Sequence, residues 1–509
     1  MAKKKQTMFG DAAEIDKPIE DIRSARLNNE QNTVIYGSGL RSRLEGLLDE
    51  NLVEDARKMF ACHKDEAMAA ISEYDPKLHK INDREDKDRK NKDPWETSKL
   101  PRALQRVTNQ TGTFFMFGNN INITLGNKPE EAKQLSDAFE EYKEFLDDVY
   151  FHEKMYAARR ITGSETECAK LYSLVKDEDG NVDIALQLKY NSNKDTLYPL
   201  FNQHGKLVAF AFGYVMRNFE NKFDEHFDVY TKTHIWKFLR PQSGGSTEWI
   251  RVSKEVNEFG KIPVIYYRHE VDWEGAQPRI EKLEWRDSKN SDTVEYFGDP
   301  YLVVTADVVG NRLADAKEVG KVMVMDGPDG RFEFVAPPDS STMVKDERES
   351  LKASIEQDTL TPDWSYKSIM GLGTLSGEAM RRANLPGYVK RTQLAGTYNE
   401  LIRRELNLVR EVLCRYKYLD NSEMVNKLRA MKLKFAYTDP FIGGIEDNST
   451  EIATLVGAGA MSIHAAVACN RYIEDKQAEE DRIWEEMERK AIIAEKAKAM
   501  AAASTNTNE

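Results

Sequence analysis

Nowhere in this chain of 509 residues do about 18 apolar residues follow one another, the run a membrane-spanning helix needs. The opening Met1-Ala2-Lys3-Lys4-Lys5-Gln6-Thr7 is charged but has no apolar core, so it reads as a solvated tail, not a secretory signal. Cysteine is scarce. Cys62, Cys168, Cys414 and Cys469 lie far apart with no C-x-x-C pair, which fits a reduced compartment and supports neither a disulfide framework nor a zinc site. Positive charge is outweighed: 73 Lys and Arg against 86 Asp and Glu leave a net charge of −13. That argues against a tight nucleic-acid binder, because affinity for phosphate backbones comes from clustered cations. It leaves room for a protein that lets DNA pass without holding it.

Signatures of chemistry are missing too. No G-x-x-x-x-G-K-[ST] occurs; the nearest approach, Gly371 to Gly377, has the wrong spacing and puts Glu378 where the phosphate-binding lysine belongs. There is no H-E-x-x-H or G-x-S-x-G. His226, His234 and His269 lie in or near β segments without ligand spacing. The acidic stretch 177–183 imitates a calcium loop, but its glycine stands fourth instead of sixth and no glutamate closes it. Sequence therefore assigns no catalytic, metal or cofactor-binding residue, and no cofactor.

With 40% hydrophobic and 31% charged residues the chain is globular, and its length implies two to four domains. Residues 1–30 read as a flexible arm. Helical periodicity covers 40–74, and 82–93 is a mixed-charge solvated face. A helix near 101–107 leads to a strand at 121–125, and one long amphipathic helix is expected over 129–161. Residues 164–270 are β-rich, with hairpin turns at 179–181, 203–206 and 243–246. Pro278 opens a helix running to Phe297. Strands at 322–325 and 332–335 flank a turn at 326–330, and Ser340 or Ser341 caps a helix to Asp358. A Gly-bearing loop, 358–375, follows. From the N-cap Ser376 a helix of about forty residues is expected, kinked at Pro386-Gly387, with Tyr398, Ile402, Leu406, Val409, Leu413 and Tyr416 as its apolar stripe. A strand at 432–437, a Gly- and Ala-rich helix from 450 and a charged helix over 474–502 complete the chain. The helices over 279–297 and 341–358 are too polar for an ordinary core. Helices of that kind bury their faces against copies of themselves, as in a ring with a channel.

Several local signatures carry a family resemblance. Thr111-Gly112-Thr113-Phe114-Phe115-Met116-Phe117-Gly118 resembles a strand ending in Gly. Phe259-Gly260-Lys261-Ile262-Pro263-Val264-Ile265 resembles a Gly-x-Ile-Pro-Val-Val segment. Ser376-Gly377-Glu378-Ala379-Met380 resembles a Ser-Gly-x-Ala-Leu helix start. Gly459-Ala460-Met461-Ser462 and the acidic stretch 475–488 resemble a Gly-x-Ile-Ser turn and a terminal helix. In this order they resemble the portal proteins of tailed bacteriophages, specifically those of long-tailed phages of Gram-positive hosts. Trp285-Arg286-Asp287-Ser288-Lys289 departs from that pattern, being more polar than its counterparts.

The resemblance implies an α+β portal fold with wing, helical stem, small β clip and helical crown, twelve copies forming a ring around a channel. Mapped here, the wing is 31–275, the stem helices are 276–306 and 340–358, and the clip is 307–339. The channel loop is 359–375, a kinked long helix and wing strand fill 376–440, and the crown is 441–509. The implied partners are further copies of the chain, double-stranded DNA passing without sequence readout, the terminase packaging motor, a head–tail adaptor, and capsid and scaffolding proteins, with no membrane. The implied location is one capsid vertex of the virion, and the host cytoplasm during assembly. Channel-loop residues are Trp364, Tyr366, Lys367, Ser368, Gly371 and Gly373. Asp326, Pro328, Asp329 and Arg331 belong to clip docking, held out by a helix of about 19 residues that spans roughly 28 Å. Ser376 and Gly377 cap the next helix, and Pro386 and Gly387 kink it. An ATP-driven packaging enzyme, disfavoured by the missing phosphate loop, an unrecognised nucleic-acid-processing enzyme and an intracellular scaffold without a channel remain as alternatives.

Overall fold

The computed structural model describes residues 39–89, 92–176, 182–217, 221–241, 248–298, 302–305, 331–334, 341–365, 382–440, 452–469 and 476–505. They divide into two compact units, Met1–Pro362 with Pro386–Pro440, and Asp363–Leu385 with Phe441–Glu509. The arm at 1–30 and the acidic loop at 177–181 lie outside the described residues.

In the first unit, apolar residues alternating along the strands build two sheets that share a core. Helices α1 (Leu40–Asp49) and α2 (Val53–Arg57) lead to α3 (Lys64–Tyr74). A short ribbon, β1 (Lys87–Arg89) with β2 (Lys92–Trp95), precedes α4 (Leu104–Phe117) and β3 (Asn122–Leu125). Helices α5 (Pro129–Gln134), α6 (Ser136–Asp148) and α7 (Phe151–Glu165) then lead into β4 (Glu167–Lys176) and β5 (Val182–Lys189). Next come β6 (Thr196–Phe201), β7 (Leu207–Arg217), β8 (Phe223–Thr231), β9 (His234–Pro241), β10 (Ile250–Val256) and β11 (Val264–Arg268). The antiparallel five-stranded sheet has the order β10-β9-β8-β7-β6, and the three-stranded one β11-β4-β5. The pairs β4–β5, β6–β7 and β9–β10 are antiparallel ladders; of the three expected turns, the one at 203–206 is described, while 179–181 and 243–246 lie outside the described residues.

Four layers result. Leu40, Leu44 and Leu48 of α1 cover one face of the larger sheet through Phe227, Trp236 and Phe238. Its other face, with Phe210, Phe212 and Tyr230, packs on Leu171, Val264 and Tyr266 of the smaller sheet. The far side of the smaller sheet, Cys168, Tyr172, Ile265 and Tyr267, meets Tyr142, Phe145, Phe151 and Met155 of α6 and α7. Ile402, Leu406 and Val409 of the long helix α10 (Leu385–Val412) close the same core. Each large apolar side chain removed from water in this way contributes about 1.5–3 kcal/mol.

Between the sheets and α10 the chain forms a helical hairpin, α8 (Gln277–Gly298) and α9 (Ser341–Asp358). The strands β12 (Leu302–Thr305) and β13 (Arg331–Phe334) lie between these helices in the chain and pair antiparallel. After α10 and a π-helical turn, Leu413–Lys417, come α11 (Ser422–Ala430) and β14 (Leu433–Ala436), which pairs with β3. In the second unit, helical residues 452–457 precede α12 (Ile463–Cys469) and α13 (Lys476–Thr505), where His464 bonds Glu480 at 2.6 Å.

Several expectations need correction. Residues 111–117 are no strand but the second half of α4, capped by Gly118, because Thr108, Thr111, Gly112, Phe115 and Met116 bury one helical face. Packing here overrides the β preference of Thr and Phe. The helix expected over 129–161 is three, broken at Leu135 and again at Tyr150, whose φ of 54° is left-handed. The helix expected over 276–306 stops at Gly298, and Leu302–Thr305, counted as part of it, is a strand. Among the described residues the partner of Arg331–Phe334 is that strand; 322–325 lie outside them. Pro386 does not kink a continuous helix. A turn at Asn384 precedes α10, and Pro386 sits in its first turn, where its missing N–H costs nothing. Substituting it is therefore expected to be mild.

Candidate functional site

The hairpin is fixed first by its own ion pairs. Arg286 Nε lies 3.0 Å from Glu347, Arg348 Nε 2.9 Å from Asp287, and Arg279 meets Asp358, an antiparallel register along both helices. Ile280, Leu283 and Ile355 pack with Trp273 at its base. The polar flank of α8, which reads as a surface for another copy, is instead largely satisfied within the chain. Glu284 accepts from the Arg102 amide at 2.7 Å and bonds His79 Nδ1 at 2.6 Å. Asp287 accepts from Arg102 Nε at 2.6 Å, Ser288 Oγ from the Leu100 amide at 3.0 Å, and Asp292 from the Ser98 amide at 2.8 Å and Arg84 at 2.5 Å. Burial alone would raise the Asp292 carboxyl; the Ser98 amide and Arg84 outweigh it and hold it below the usual range. From Asp292 to Gly298 only ~9 Å of helix continues past the last of these anchors, well short of the roughly 28 Å the sequence suggested.

Beneath the hairpin lies a buried charge hub. Helices α4 and α7 approach closely at Gly112 and Gly163. A Cβ on Gly163 would stand 2.4 Å from Arg159 Nη1, and one on Gly112 would stand 2.9 Å from Arg159 Nη2. Arg159 Nη2 donates to both Asp272 oxygens, at 2.9 and 3.0 Å. Lys390, from the second turn of α10, donates to the carbonyls of Thr108 at 3.4 Å, Asp272 at 3.1 Å and Thr359 at 3.2 Å. One lysine thus joins α4, the segment entering α8 and the residue that follows α9. Two cations share one carboxylate here. Burial would raise Asp272, but Arg159 and Lys390 hold it below its ordinary value. Burial lowers Lys390, and Arg159 adds to the shift, to about 8.

The unfolded chain, with lysine near ~10.4, binds more protons than the folded protein between these values. Stability is therefore expected to rise as pH climbs from about 8 towards ~10.4. Lys390→Met should flatten that rise in urea unfolding followed across this range; an unchanged slope means Lys390 is not its source.

Of the residues singled out in the sequence, Trp364 donates Nε1–H to Asn384 Oδ1 at 2.8 Å in the second unit. The chain leaves the first unit after Pro362 and re-enters it at Pro386. Tyr366, Lys367, Ser368, Gly371, Gly373, Ser376 and Gly377 lie outside the described residues, as do Asp326, Pro328 and Asp329. Arg331 opens β13 opposite Thr305. Gly387 lies against Phe115: a Cβ there would stand 2.1 Å from the ring. Arg159, Asp272 and Lys390 carry no spacing signal in the sequence; only Gly112 and Gly163, inside helices, hint at a close approach. Among the described residues no group of His, Cys, Asp or Glu is placed to hold a metal, and no helix is long and apolar enough to cross a membrane. With Lys390 engaged by three carbonyls and Asp272 by Arg159, the hub is built to clamp chain segments together.

Comparison with known proteins adds a family. A family model described as phage portal protein, SPP1 Gp6-like, matches residues 61–492. No curated protein matches the chain. Among solved structures, a chain in the neck of a native GTA particle computed with C12 symmetry aligns at 10% identity with a TM-score of 0.35, covering 72% of this chain and 89% of that one. A chain in the virion of a native gene transfer agent particle aligns at 11% identity with a TM-score of 0.33, covering 71% and 86%.

Proposed function

Because the chain belongs to the SPP1 Gp6-like family of phage portal proteins, we propose that it forms the ring at one vertex of the virion through which double-stranded DNA is packaged and later ejected. Assembly takes place in the host cytoplasm, against capsid and scaffolding proteins. The role is structural, without catalysis. The observation that carries the proposal is the family match over most of the chain. The paired strands β12 and β13, set between α8 and α9, support a docking face for the terminase motor and then for a head–tail adaptor. In a ring of about twelve copies the contacts between neighbours are head-to-tail and return on themselves. Repeated around that ring, a net charge of −13 repels DNA phosphates from the assembly, which suits passage rather than adhesion.

Residues 359–375 are the proposed channel loop, and near its start Trp364 donates to Asn384 Oδ1 at 2.8 Å. Its contacts with DNA are few, electrostatic and independent of sequence. Two measurements test this. The mass of the purified full chain in solution should be that of a ring, and a stable monomer or dimer would favour the scaffold reading. Deleting Ser368 to Gly373 should leave rings intact while lowering packaging yield or letting packaged DNA slip out. Normal packaging and retention by that variant would make the loop a plain connector.

A further inference from the structure

One stripe of α8 is not used by anything described so far. Lys282, Trp285, Lys289 and Thr293 are all exposed and fall at helical spacing on one line. Lys289 Nζ lies 4.4 Å and Lys282 Nζ 4.9 Å from the Trp285 ring centroid. Arg286 is also within 5.5 Å of the ring, but it is engaged by Glu347. Among the described residues no carboxylate pairs with Lys282 or Lys289. In a chain with an acidic excess this is an aromatic side chain flanked by two uncommitted cations, at the very place where the sequence departs from the family pattern.

The other helix of the hairpin carries the counterpart. Asp346, Glu349 and Ala353 form an exposed stripe on α9, and among the described residues neither carboxylate has a cation partner. The ion pairs Arg279–Asp358, Arg286–Glu347 and Asp287–Arg348 fix the relative height of the two helices. In that antiparallel register Lys289 is level with Asp346, Trp285 with the Glu349 turn, and Lys282 with Ala353. Rotation about an axis along the hairpin leaves heights unchanged. A copy turned about such an axis therefore brings its acidic stripe opposite the basic stripe of its neighbour with no shift in register.

We propose that Lys282, Trp285 and Lys289 of one copy dock against Asp346, Glu349 and Ala353 of the next. Lys289 pairs with Asp346, Trp285 lies over the Glu349 stem, and Lys282 stands level with the small Ala353. This rests on the ring reading, with the hairpin running along the ring axis, and names the contact that closes it. Because the two surfaces differ, the contact is head-to-tail and repeats around the ring. Opposed charge sets both partner and register.

The test is a charge swap in the full chain, read as the assembled fraction by mass in solution across a protein dilution series. Lys282→Glu with Lys289→Glu, and separately Asp346→Lys with Glu349→Lys, should each require about tenfold more protein to assemble. The variant with all four changes should return to near the wild-type dilution curve. Thermal melts matching wild type at assembly-blocking dilution confirm that the exposed substitutions leave the subunit folded. Double variants that assemble like wild type overturn the interface while leaving the ring reading standing. So does a four-fold variant worse than either pair. Normal rings that lose DNA on packaging would reassign the basic stripe to a phosphate contact. A wild-type chain that never forms a ring would end the ring reading, and this contact with it.

Discussion

Glu405→Ala is expected to cost about 3–5 kcal/mol of stability, the loss typical of removing one partner from a buried ion pair. Glu405 lies fully inside the core on α10, and its carboxylate accepts from Lys170 Nζ at 3.0 and 3.1 Å, from Tyr172 OH at 2.8 Å and from Tyr267 OH at 3.0 Å. Lys170 is itself fully buried, and burial already pulls its pKa below the ordinary value despite Glu405. Without the carboxylate an unpaired ammonium and two phenol hydroxyls remain in an apolar layer. Glu405→Leu combined with Lys170→Met should recover a large part of the loss, since removing the whole pair leaves no buried charge. Chemical denaturation of the two variants decides it. A Glu405→Ala variant within about 1 kcal/mol of wild type means that water reaches the lysine.

Gly387→Ala is the second large effect, and its sign is diagnostic. In an unconstrained helix the change would stabilise by about 1 kcal/mol. Here the new methyl would stand 2.1–2.4 Å from three atoms of the Phe115 ring, which is fully buried and packed edge-on to Tyr388 at 5.2 Å. With no room to yield, the substitution is expected to destabilise by about 3 kcal/mol or more. Phe115→Leu in the same chain should restore part of that, by giving up ring volume next to the methyl. A stabilised Gly387→Ala variant in thermal unfolding would show that the ring moves aside freely.

Both sites show what was legible in the sequence and what was not. The stripe from Tyr398 to Leu413 is visible by its period, and those residues are buried as the period implies, apart from the half-buried Tyr416 at the end of the run. Glu405 falls on the same inward face, yet a carboxylate there looks like one of many on a charged helix. Its partner, Lys170, interrupts an alternating strand between Cys168 and Tyr172, and nothing local says that the two, 235 positions apart, meet. The hub fails to announce itself for the same reason, since Arg159, Asp272 and Lys390 come from three separate elements. In the sequence Gly387 beside Pro386 reads as a kink; its reason is a neighbouring ring, which only the tertiary arrangement supplies. The polar α8 was recognised as unusual. That most of its carboxylates are consumed by 79–102 of the same chain depends on a loop whose mixed charges carry no period at all.

That docking has a mechanical consequence. A pull or push on the paired strands β12 and β13 would enter the body through α8 and α9, and it meets the Asp292 contacts first. Asp292 is held by one amide and one guanidinium, Glu284 by an amide and an imidazole, and Asp287 by Arg102 and Arg348. Bonds set in a row along a helix and peeled from one end are loaded one after another; the outermost yields before the next is stressed. The hairpin is thus a splint that peels from its tip, and Arg84 and Ser98 set the force at which peeling starts. Arg84→Ala would lower that threshold and also cost stability at rest, because it leaves the buried Asp292 carboxylate with the Ser98 amide and without its guanidinium.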